Sequence, residues 1–109
     1  MSTTINLNCW IYDEDPARIF PVEIAATKTV GALKKAIKHE KRHAFEHVDA
    51  DTLDLWKVAI PADENLEGDL KMLNLDDVQP LSPLAKLASL FADHPVDDHL
   101  DIVVKAPPG

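Results

Sequence analysis

Few residues of this 109-residue chain have the type and spacing for covalent or metal chemistry. His39, His43 and His47 recur every four residues. On a helix that ran through His47 they would share one face, a spacing that can chelate zinc. No cysteine lies near them and no glutamate is obviously positioned as a base, so solvated histidines are the simpler reading. Cys9 is the single cysteine. It falls mid-strand at an inward position, where a thiol serves as a small hydrophobe and lacks the exposed thiolate and adjacent base that a nucleophile needs. The glycines are Gly31, Gly68 and Gly109, too scattered for a phosphate-cradling loop. Ser2, Ser82 and Ser89 stand in no nucleophile-elbow context. The expectation is a chain with no catalytic residues, no cofactor and no metal.

What remains is contact chemistry. Residues 1–42 hold seven Lys/Arg against five Asp/Glu, and residues 43–109 hold four against fourteen, within a net charge of −8. That balance argues against general binding to nucleic acid or to an anionic membrane. The basic cluster is Lys34, Lys35, Lys38, Lys41 and Arg42. It reads first as a solvated helix face and, more sharply, as a site for an acidic partner or for the acidic 62–77 region of a second copy. Trp56 should point away from its neighbouring leucines. Either it lies beneath the segment that follows, or it is exposed with Trp10 as an apolar patch suited to a protein partner or a dimer.

The elements that must carry these residues follow from periodicity. Ile5, Leu7, Cys9 and Ile11 alternate with Asn6, Asn8, Trp10 and Tyr12, a half-buried strand. Asp13–Pro16 turns the chain, and Phe20, Val22 and Ile24 form a second strand, with Pro21 marking it as an edge. Thr29 is a good N-cap for a helix to Lys41, with Val30, Leu33, Ala36 and Ile37 on its apolar face. Gly31 costs that helix about 1 kcal/mol relative to alanine. Leu53-Asp54-Leu55-Trp56-Lys57-Val58 is a short third strand, closed by Pro61. Residues 62–98 are acidic but leucine-rich, too apolar for a disordered linker. Within them Ser82 and Pro83 predict the start of a helix whose stripe is Leu84, Leu87 and Phe91, stopped at Asp93-His94-Pro95. His99–Lys105 is the last strand, with Leu100, Ile102 and Val104 on its inner face. One α+β domain over 1–105 is expected, a β-grasp fold whose final strand pairs parallel with the first, with 106–109 beginning a proline-containing linker. No segment reaches the roughly 18 apolar residues of a membrane span, and the first residues read as a strand, not as an ordinary signal peptide.

Four blocks in this order resemble the N-terminal domain of Crinkler effectors: Phe20–Ile24, Val30–Lys38, Leu53–Val58 and His99–Lys105, with Pro107 soon after. Leu81–Leu87 is similar to an insert of fungal members. Leu53, Leu55 and Trp56 match in kind the first leucine, second leucine and aromatic of the oomycete motif Leu-Gln-Leu-Phe-Leu-Ala-Lys. Lys57, Val58 and Ala59 depart from its end, as in a fungal form. The resemblance implies a ubiquitin-like, non-catalytic module of a secreted effector that serves export, host-cell entry or presentation of a C-terminal domain acting in the host, often in its nucleus. A ubiquitin-like intracellular adaptor with no part in secretion is the alternative. Conjugation as a tag is disfavoured, since Ala106-Pro107-Pro108-Gly109 lacks a flexible Gly-Gly end.

Overall fold

A computed structural model describes residues 4–75, 78–91 and 98–107. Its elements are β1 (Thr4–Ile11), β2 (Phe20–Ala25), α1 (Val30–Glu40), β3 (Asp54–Pro61), α2 (Leu66–Lys71), α3 (Leu87–Leu90) and β4 (His99–Lys105), with 3₁₀ turns at Pro16–Arg18 and Ala50–Thr52. The four strands form one sheet in the order β2-β1-β4-β3. β1 pairs antiparallel with β2 and parallel with β4, and β3 pairs antiparallel with β4. This is the mixed α+β arrangement of a β-grasp fold, with the expected parallel centre. Pro21 lies on β2, an outer strand, where its missing N–H breaks no ladder bond on the open side.

Both faces of the sheet are covered. On the first, Ile5, Leu7, Cys9 and Ile11 of β1, Phe20 and Val22 of β2, Leu53 and Leu55 beside Ile102 and Val104 pack under Val30, Leu33 and Ile37 of α1. On the second, Trp10, Trp56, Leu100 and Val103 pack under Leu70 of α2 and Leu75. The alternation of β1 and β3 therefore feeds two cores, one on each face. Burying a large apolar side chain in either contributes about 1.5–3 kcal/mol.

α1 begins as its sequence predicts. The Thr29 hydroxyl accepts from the Ala32 N–H at 3.3 Å. The two preceding N–H groups, free in an isolated helix, donate to a distant segment: Val30 to the Ala85 carbonyl at 2.8 Å and Gly31 to that of Pro83 at 3.0 Å. Residues 82–88 run back along 26–31, with Leu87 N–H donating to the Lys28 carbonyl at 2.9 Å and Ala88 N–H to that of Ala26 at 2.9 Å. This corrects the expectation of a helix from Ser82. Ser82–Ala85 is a turn, helix begins only at Leu87, and Leu84 is 84% exposed instead of part of a buried stripe. The expected stop at Asp93-His94-Pro95 lies outside the described residues.

β4 departs from simple alternation. Ile102 and Val104 join the first core, but Leu100 joins the second beside Val103. The slip falls at Asp101, opposite a register shift between Lys57 and Ile60 of β3. β1–β4 pairing covers Cys9–Ile11 against Ile102–Val104. Below it, side chains take over: the Asp101 carboxylate accepts from the Asn8 backbone N–H at 2.9 Å, and the Asn8 side-chain amide donates to the His99 carbonyl at 2.8 Å.

Candidate functional site

The motif strand divides its side chains between the two cores. Leu53 and Leu55 are fully enclosed in the first. Asp54 and Lys57 are exposed, and the Lys57 ammonium lies 5.2 Å from the Phe91 ring centre. Trp56 is buried in the second core, with Val58 packed at its edge. Its indole N–H donates to the Val78 carbonyl at 2.9 Å. Trp10 lies in the same core, and the sheet register sets Trp10, Val103 and Trp56 in one row across three strands. The Trp10 indole N–H is shared between the carbonyls of Glu14 and Asp15, at 3.2 and 3.3 Å. Of the two placements open to Trp56 the structure holds burial beneath the following segment. The exposed tryptophan patch is thereby corrected, because α2 and the residues after it cover that face.

The basic cluster is also redistributed. Lys34 is 6% exposed, a correction to its place on a solvated face. Lys35 and Arg42 are exposed, and Lys38 and Lys41 are half-buried. The Lys41 ammonium sits 4.8 Å from the Phe20 ring centre, an attraction between a cation and the negative face of an aromatic ring. The exposed cationic face is thus narrower than the sequence spacing predicts. The turn at Ser82–Ala85 folds over the start of α1, where its Pro83 carbonyl accepts from the Gly31 N–H. Together with Asp51 from the second 3₁₀ turn it leaves a cleft of about 380 Å³ lined by Thr29, Gly31, Ala32, Lys34, Lys35, Asp51 and Pro83. Sequence reasoning missed this cleft. The available signal was Gly31, whose absent Cβ would stand 3.3 Å from the Pro83 carbonyl oxygen. A glycine that weakens the helix here permits the close approach of another segment.

Among the described residues the groups with chemical reactivity are not assembled. Cys9 is fully enclosed, and burial, reinforced by the Asp101 carboxylate, pushes its thiol far above the ordinary range. That is the reverse of an activated nucleophile. α1 ends at Glu40, so His39 lies on the helix while His43 and His47 lie on the turns beyond it, all exposed. Among the described residues no three His, Cys, Asp or Glu side chains are grouped to hold a metal, and no helix is long and apolar enough to cross a membrane. Burial raises the Asp101 carboxyl above its usual range, against the opposing pulls of the Asn8 N–H and of His99.

Comparison with known proteins matches this arrangement. The model of the Crinkler effector protein N-terminal domain matches residues 5–105. Crinkler effector protein 1 of Rhizophagus irregularis is 36% identical over 104 residues, 95% of this chain. The chain spans 22% of the length of that relative. With its two-faced sheet, its motif strand and this match from β1 to β4, the chain belongs to the Crinkler effector N-terminal domain family.

Proposed function

We propose that this chain is the non-catalytic N-terminal module of a secreted Crinkler-type effector. Its role is delivery: export, entry into the host cell, and presentation of an effector domain joined after the linker that begins at Ala106. Residues 1–105 would form the delivery module, and the observation that carries the reading is the family match over residues 5–105. Two further features support it. The relative contains far more polypeptide than this module. β4, an inner strand that leads towards Pro107, is paired on both sides, so a domain attached beyond Pro107 would be anchored to the interior of the sheet. Host-cell activity, including any in the nucleus, would then belong to the attached domain.

The test fuses residues 1–109 to a reporter and follows its secretion and uptake. Delivery of the fusion well above that of the reporter alone is expected. Equal delivery of the two overturns the trafficking role. In that case, capture of a stable partner inside the producing cell would point to the adaptor alternative.

A further inference from the structure

The Lys34 cleft is a built site. Lys34 is more than nine-tenths buried, yet among the described residues its ammonium has neither a hydrogen bond nor an ion pair. No described side-chain nitrogen or oxygen is both fully enclosed and unpartnered. The ammonium is therefore not sealed from solvent, and Lys34 lines the cleft. A lysine whose side chain is more than nine-tenths buried at a cleft is pre-organised for an anion, because little side-chain entropy remains to be lost on binding.

The lining sets the charge of that anion. Lys34 and Lys35 supply two cations and Asp51 one anion, a surplus of one positive charge. A single carboxylate balances it, whereas a phosphate dianion overshoots and meets Asp51. The walls, Ala32, Gly31 and Pro83, are largely apolar, and Leu84 stands 84% exposed on the turn beside Pro83. The helix N–H groups nearby already donate to Pro83 and Ala85, so they do not compete for the anion.

We propose that this cleft binds an Asp or Glu side chain of a partner protein. Lys34 is the counter-ion, Lys35 stands at the rim, and Leu84 receives a large apolar residue next to the acidic one. The inference rests on reading the chain as a protein-binding module without catalysis. It is tested on the isolated 109-residue chain, so its failure leaves the delivery assay untouched.

The probe is the peptide acetyl-Ala-Leu-Glu-Leu-Ala-amide, followed by amide chemical shifts in an isotope-labelled chain. Saturable shifts are expected at Gly31, Ala32 and Lys35. The Glu→Gln peptide and the Lys34→Met variant should each bind about tenfold or more weakly, and Lys34→Arg should retain binding. Asp51 and Leu84 are exposed, so their variants keep the fold. Asp51→Asn should tighten binding severalfold and Leu84→Ser should weaken it. No saturable shift at the cleft, equal affinity for the Gln peptide, or stronger competition from inorganic phosphate than from acetate overturns the carboxylate site. Light scattering that showed self-association of the chain lost in Lys34→Met would overturn the assignment to a separate partner.

Discussion

Replacing Trp56 by alanine separates a structural tryptophan from a contact tryptophan. In the fold Trp56 is 6% exposed and packs in the core of Trp10, Leu70, Leu75, Leu100 and Val103. Truncating a buried tryptophan to alanine costs about 3–5 kcal/mol, combining lost transfer energy with an unfilled cavity. Part of that is the indole N–H bond to the Val78 carbonyl, about 1 kcal/mol net. Trp56→Phe removes that bond while keeping most of the apolar contact, so it should cost about 1–2 kcal/mol. Domains of this size are stable by roughly 5–15 kcal/mol, so the alanine variant should lose a large share of its stability. The assay is urea unfolding followed by far-ultraviolet circular dichroism, which does not depend on the tryptophan removed. At a slope of about 2 kcal/mol per molar urea, the Trp56→Ala midpoint should fall by about 2 M and the Trp56→Phe midpoint by under about 1 M. A Trp56→Ala midpoint within about 0.25 M of the parent would refute burial beneath α2 and restore an exposed contact residue.

Gly31→Val places a branched side chain against the Pro83 carbonyl, 3.3 Å from the Cβ position. It should destabilise by about 1–3 kcal/mol in the same assay, whereas a change within about 0.5 kcal/mol would show that residues 82–88 do not dock on α1. Asp101 yields a pH dependence whose sign follows from its raised carboxyl pKa. Between the ordinary carboxyl value and the raised one, the folded chain keeps a proton that the unfolded chain has released, so this residue's contribution to stability falls as pH rises through that window. Asp101→Asn keeps an oxygen that can accept from the Asn8 N–H but cannot ionise. Its stability relative to the parent should therefore be greater at pH 7 than at pH 4, and an equal difference at both would refute the assignment.

Much of the fold was legible because periodicity records burial directly. The alternation of Ile5 to Ile11 placed β1, and the spacing of Val30, Leu33 and Ile37 placed α1 to within a residue at each end. Pro21, which cannot donate to a ladder, marks β2 as the edge strand that the sheet order shows it to be. The reading failed where one segment answers the needs of another far along the chain. Ser82-Pro83 has the local chemistry of a helix start, but the open N–H groups of Val30 and Gly31 take the carbonyls of Ala85 and Pro83. In a helix the Pro83 carbonyl would accept from Leu87, whose N–H instead donates to Lys28. Nothing in the sequence around Ser82 encodes that competition. Lys34 is a second departure: a lysine beside an apolar stripe reads as solvated, and nothing in the spacing of α1 reveals that its side chain is buried. Asp101 could not be foreseen either, because strand alternation assigns it a face without revealing that β4 slips there.

The division of the motif strand between two cores bears on how its substitutions must be read. Leu53 and Leu55 hold β3 under α1, and Trp56 holds the same strand under α2. A change at any of the three removes packing on one face of the strand that pairs with β4. β4 in turn pairs with β1. Damage to the motif therefore reaches the centre of the sheet. A motif variant that fails to deliver a reporter is uninformative about recognition unless its unfolding midpoint matches that of the parent. The exposed members, Asp54 and Lys57, are the positions where recognition can be probed without this confusion. If the motif is read by a partner, Asp54→Ala and Lys57→Ala should lose delivery while stability stays within about 1 kcal/mol of the parent, the Lys57 change costing only its contact with the Phe91 ring. If it acts only through the fold, both should deliver normally while Leu55→Ala, at a cost of about 2–5 kcal/mol, does not.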